Sequence, residues 1–133
     1  MKSFDVQSVS IDRPAKTVFD FVAEPTNLPK WTNAFRRADH DSAELVTPAG
    51  AVPIRLATVA DPSRGTVDWR MTFPDGAEGM AYSRVTPTGD AGAAYSFVLM
   101  APPVPLEALE GALQEQMKIL ASELVTLKDV LEA

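Results

Sequence analysis

The C-terminal quarter of the chain constrains its fold most. After Pro102-Pro103-Val104-Pro105 no proline occurs up to Ala133, and Leu106, Leu109, Leu113, Met117, Leu120, Leu124, Leu127 and Leu131 recur at steps of three and four. That spacing lines one face of an α-helix. It predicts roughly seven turns of amphipathic helix, with Pro105 near its first position and Glu107 and Glu110 against the positive end of the helix dipole. A heptad-like repeat also fits a coiled coil. After a β-rich stretch, however, one apolar stripe is expected to lie across a sheet.

The preceding residues supply that sheet. Phe4, Val6, Val9 and Ile11 predict an opening strand whose alternation slips at Ser8-Val9, as a bulge would make it do. Asp12-Arg13-Pro14 marks a helix start, Val18, Phe19, Phe21 and Val22 give it an apolar stripe, and Pro25 stops it. A second short helical piece runs through Thr26 to Trp31, with Leu28 and Trp31 on one face. The text then turns to β, with runs at Ala43 to Thr47 and Ala51 to Val59 around the turn Pro48-Ala49-Gly50. Pro53 lacks a ladder donor and predicts a sheet edge or a bulge there. Thr66 to Phe73 alternates without exception, placing Val67, Trp69, Met71 and Phe73 on one face. Gly79 to Thr86 and Ala93 to Met100 complete an antiparallel meander with it, joined by Pro74-Asp75-Gly76 and Pro87-Thr88-Gly89-Asp90.

The 133 residues suit one domain, 1–133, without boundary, repeat or low-complexity tract, and 46% hydrophobic against 23% charged residues is the balance of a chain that folds alone. A net charge of −6 offers phosphate backbones no attraction, so nucleic acid is not an expected partner. With no cysteine and one histidine, neither disulfides nor a metal site are expected, and no cofactor is implied. No apolar window is long enough for a membrane span, and the early charges at Lys2 and Asp5 do not form a signal core, so a cytoplasmic address is expected.

Val9-Ser10-Ile11-Asp12-Arg13-Pro14-Ala15-Lys16-Thr17-Val18-Phe19-Asp20-Phe21-Val22 resembles the opening strand and proline-started helix of the START-like, helix-grip superfamily. This group is also called SRPBCC, or polyketide cyclase/dehydrase and lipid transport. Glu24-Pro25-Thr26-Asn27-Leu28-Pro29-Lys30-Trp31 is similar to the family's second helix, and Met80-Ala81-Tyr82-Ser83-Arg84-Val85-Thr86-Pro87 to its arginine-bearing sixth strand. The order of elements matches over nearly the whole chain. The resemblance implies an α+β helix-grip fold: a curved antiparallel sheet of about seven strands around the long C-terminal helix, with two short helices after the first strand. Between sheet and helix it implies a cavity for lipids, steroids, hormones or polyketides. Its members include binding proteins, cyclases, hydrolases and oligomeric accessory proteins, and no shared catalytic motif carries over.

Parity and helical spacing turn Trp69, Met71, Tyr82, Tyr95, Phe97, Leu113 and Met117 toward that space, where they line a pocket or fill a core. If the Tyr82 face points inward, Arg84 shares it and could meet a ligand carboxylate or enolate; otherwise it pairs with a surface acid. Gly111 either admits a close neighbour or marks a bend. His40, between Asp39 and Asp41, is a conceivable general base or a solvated turn. The acids show no paired spacing around a substrate bond, and Gly89-Asp90-Ala91-Gly92 lacks the phosphate-loop pattern. Three functions follow as expectations. The first is binding or carriage of a small hydrophobic ligand. The second is a cyclase-, dehydratase- or isomerase-type enzyme using Tyr82, Arg84 or His40 in the same cavity. The third is a partner-binding role in which a sheet edge or the helix's outer face forms a homodimer.

Overall fold

A computed structural model describes residues 3–47, 50–101 and 106–133, and only the backbone of 47 and 106–110. The turn predicted at Pro48-Ala49 and the stop at residues 102–105 lie outside the described residues. Among the described residues, strands β1 (Phe4–Ile11), β2 (Phe35–Ala38), β3 (Ser42–Thr47), β4 (Gly50–Asp61), β5 (Thr66–Thr72), β6 (Glu78–Pro87) and β7 (Ala93–Met100) form one antiparallel sheet. Its order is β1-β7-β6-β5-β4-β3-β2. Helices α1 (Ala15–Ala23) and α2 (Leu28–Trp31), linked by a 3-10 turn at Pro25–Asn27, follow β1, and α3 (Leu106–Glu132) closes the chain. The sheet curls around α3 as the helix-grip expectation requires. No helix among the described residues is long and apolar enough to cross a membrane.

The leucine stripe works as its spacing predicts: Leu113, Leu120, Leu124 and Leu127 are buried. The last three join Trp31, Ile54, Leu56, Val67, Trp69, Val85 and Tyr95 in one core. Gly111 is exposed, and a Cβ built there meets nothing within 4 Å, so no strand among the described residues presses on it.

Two readings at the start of the chain need correction. The pairing of β1 with β7 runs without a bulge from Phe4↔Met100 to Ile11↔Ala93. Asp5, Gln7, Val9 and Ile11 therefore face inward and Phe4 and Val6 outward, so the apparent slip comes from mixed composition on a regular strand. Asp12 does not cap α1, whose N-cap is Pro14 without a side-chain bond; the Asp12 amide instead donates to Glu132 Oε2 at 2.8 Å.

Pro53 occupies a position between those predicted. It pairs with Glu44 without a bulge, in a strand with neighbours on both sides. The Leu56 amide donates toward β3, to Asp41 O at 3.0 Å, so alternation aims the Pro53 nitrogen at the β5 side. There β5 has already ended at Arg55↔Thr72, so the missing donor breaks no ladder.

Candidate functional site

Register fixes what the concave face of the sheet offers α3. Trp69 lies opposite Thr58 on β4 and Ala81 on β6, and Ser83 lies between Val67 and Phe97. Tyr95 lies between Val85 and Val9, and Gln7 beside Phe97. Trp69 stacks on Phe97 with ring centroids 6.1 Å apart and 27° between planes. The small residue Ala81 on β6 leaves room for the indole. Met71 and Phe73 extend across Gly79, where an added Cβ would meet both at 3.6 Å. Trp31 from α2 meets Tyr95 edge-on, 6.1 Å between centroids. Gln7 Nε2 ties the wall to the helix by donating to Met117 O at 2.9 Å and to Asp5 Oδ2 at 3.0 Å. Trp69, Met71, Tyr95, Phe97, Leu113 and Met117 thus stand on the inward faces assigned to them.

Tyr82 and Arg84 do not. Tyr82 pairs with Asp68 and Val98, and Arg84 with Thr66 and Ser96, on the parity opposite to Ala81, Ser83 and Val85. Both are exposed on the convex side. Alternation within β6 separates its two faces, but which of them points inward follows only from its register with the neighbouring strands. His40 is also outside, in the β2–β3 turn, its side chain 75% exposed and its Nε2 3.4 Å from Glu24 Oε2. That turn is built by Asp39, whose Oδ1 accepts the amides of Asp41 and Ser42 at 3.1 and 2.9 Å. These bonds hold the Asp39 carboxyl well below the usual carboxylate range. Proton transfer by Tyr82, Arg84 or His40 inside the grip therefore has no geometric basis here.

The inward polar atoms carry no joint signature in the sequence. Among the described residues, Trp31 Nε1, Thr58 Oγ1, Trp69 Nε1 and Tyr95 OH are buried without a hydrogen-bond partner of good geometry. Burial pushes the Tyr95 phenol up; Ser83 beside it, whose hydroxyl donates to Val67 O at 2.7 Å, offsets a part. Glu123 is also buried, on the inner side of α3, and its Oε2 accepts the Asn33 amide at 2.6 Å. Thr58 shares parity with Ile54 and Leu56, and Ser83 with Val85, so alternation could have revealed these two. The contact of Glu123 with the α2–β2 connector spans 90 residues and has no local signature.

A second concavity, a groove of about 550 Å³, lies between the first turns of α1 and the β4–β5 turn. Phe19 and Val85 contribute its apolar lining, and Lys16 and Arg64 are among its charges. Two of these cations already face acids, Lys16 to Asp20 at 2.6 Å and Arg64 to Asp61 at 3.9 Å, while Arg84, also in the lining, makes no ion pair among the described residues.

A curled antiparallel sheet gripping a terminal helix, with aromatic and polar side chains turned inward, defines the helix-grip class. The chain belongs to the family described as polyketide cyclase / dehydrase and lipid transport, whose model matches residues 5–132. Among solved structures it is similar to a START superfamily protein from Mycobacterium smegmatis, at 13% identity and TM-score 0.72, covering 98% of each chain. It is also similar to the BexL di-domain ARO/CYC, at 20% identity and TM-score 0.78, where 99% of this chain spans 47% of that one. The Zhui aromatase/cyclase from a Streptomyces species is 10% identical with TM-score 0.68, covering 97% of this chain and 93% of its own. At these identities the likeness shows the fold. The curated proteins contain no match.

Proposed function

We propose that the chain binds a small, largely apolar molecule of the lipid, steroid or polyketide class between the concave face of the sheet and α3. The supporting observation is the set of four buried, unpartnered polar atoms on Trp31, Thr58, Trp69 and Tyr95. A buried polar group left without a bond costs about 1–3 kcal/mol, and native interiors leave few in that state. Two of the four are indole N–H groups, which only donate, and the two hydroxyls can donate as well. The matching ligand has an apolar skeleton that contacts Met71, Phe97, Leu113 and Met117 and carries carbonyl or hydroxyl oxygens as acceptors. Family membership and the likeness of the fold to that of the Zhui aromatase/cyclase support the same ligand class.

The test is a thermal-shift screen against fatty acids, steroids and aromatic polyketides, followed by titration of intrinsic fluorescence. The chain's two tryptophans, Trp31 and Trp69, are both in the proposed site. A ligand should raise the melting temperature and change the indole emission, and Trp69→Phe should weaken its binding about tenfold, the worth of one well-placed hydrogen bond. If no compound shifts the transition and a high-resolution structure shows ordered water on all four polar atoms, the interior is a hydrated core and the proposal is wrong.

A further inference from the structure

Antiparallel sheets with one covered face usually turn polar residues to the other. β1 inverts that rule in its first half, placing Asp5 and Gln7 inside and Phe4 and Val6 outside. The pairings Phe4↔Met100, Val6↔Val98 and Val98↔Tyr82 then set these apolar side chains next to one another across β1, β7 and β6. Phe4 is 47% exposed, Val6 54%, Met100 41% and Tyr82 39%. Scattered surface apolar residues need no cause, but a contiguous group over three strands marks an interaction surface.

The charges around this patch point to its occupant. Asp68 and Arg70 lie on β5 opposite Tyr82 and Met80, and Arg84 lies two residues along β6 from Tyr82. Among the described residues none of the three makes an ion pair within the chain. Both signs thus border the apolar centre, Asp68 beside Tyr82 on β5 with Arg70 next to it, and Arg84 further along β6. A polyanion or an anionic membrane favours a rim of one sign, and a small molecule needs a concave site, whereas this face is the outside of a curled sheet. A rim of both signs suits a surface that meets itself: a two-fold axis near Tyr82 and Val98 brings Arg84 of one copy over Asp68 of the other and stacks the apolar centres.

We infer that the outer face of β1, β7 and β6 is an isologous interface joining two copies of this chain sheet to sheet, leaving the concave side free. This interface is independent of ligand binding within the grip.

Sedimentation equilibrium of the intact chain across the micromolar range tests it. A reversible dimer is expected, and Val6→Lys and Tyr82→Glu should each raise its dissociation constant more than about tenfold, as centrally placed interface residues do. Circular dichroism and melting of the variants held at monomer concentrations should match the wild type, separating lost association from misfolding. Asp68→Arg and Arg84→Asp should each weaken the dimer, and the double exchange should restore it to within a few-fold if these charges meet across the axis. A wild type that stays monomeric overturns the inference, as does a dimer indifferent to both Val6→Lys and Tyr82→Glu.

Discussion

Glu123 stands on the inward side of α3, 8% exposed, with the Asn33 amide on its carboxylate at 2.6 Å. Burial pushes its pKa up, and the amides of Asn33 and Ala34 pull it part of the way back. With the folded value above the unfolded one, the folded state holds the proton longer. The contribution of Glu123 to stability is therefore full below the unfolded pKa and is lost as pH rises through the folded one. Glu123→Gln keeps an oxygen for the amides and cannot ionise, so the wild type should lose melting temperature relative to this variant as pH climbs from acid toward neutral. A difference between the two that stays constant over a pH series of melting curves would refute the assignment. Gly65 is a second residue with a definite constraint. It adopts φ +72°, its carbonyl accepts the Val85 amide at 2.8 Å, and an added Cβ would lie 2.3 Å from Val85 O. Gly65→Ala should cost at least about 1–3 kcal/mol from backbone strain alone, read as a lower urea midpoint at unchanged slope.

At the scale of elements, α3 was readable and β1 only half so, and the difference is physical. Leucines at helical spacing report burial because a helix in a soluble fold covers one stripe. Leu120, Leu124 and Leu127 are buried as the stripe predicts, while Val125 is 55% exposed. Leu127→Ala should cost about 2–5 kcal/mol, and Val125→Ala should change stability by no more than about 0.5 kcal/mol. Equal losses in chemical denaturation would mean that α3 is rotated from the orientation described. In β1 the apolar residues are divided between two faces with different demands. Val9 and Ile11 meet the core, while Asp5 and Gln7 share their parity because Gln7 reaches a backbone carbonyl 110 residues away. A tertiary hydrogen bond of that span leaves no periodic trace, so the strand read as bulged. In β6, alternation separated Tyr82 and Arg84 from Ala81 and Ser83, but only pairing to β5 and β7 could say which set was inside. Trp69 and Phe97 were placed because their own strands combine clean alternation with large apolar residues.

The molecule as a whole combines a core tight enough to fold with inward polar atoms that a fully optimised core would not keep. A site built for a ligand and a merely imperfect core differ in how stability and binding respond to the same change. Tyr95 is the most decisive position: it is fully buried, its hydroxyl makes no hydrogen bond of good geometry among the described residues, the neighbouring Ser83 hydroxyl being spent on Val67 O, and burial holds the phenol protonated. Tyr95→Phe removes an unsatisfied group while nearly preserving volume, so the unliganded protein should gain about 1 kcal/mol, a rise of a few degrees in melting temperature for a domain of this size. If that hydroxyl serves the ligand, the same variant should bind more weakly, because the acceptor it met would be left bare. A ligand stabilises the folded state by RT ln(1 + [L]/Kd), so the ligand-induced shift should shrink while the unliganded melting temperature rises. Measured in one series of melting curves with and without ligand, these opposite signs identify a binding site. A variant that loses stability without ligand, or keeps the full ligand shift, would return Tyr95 to the ordinary core.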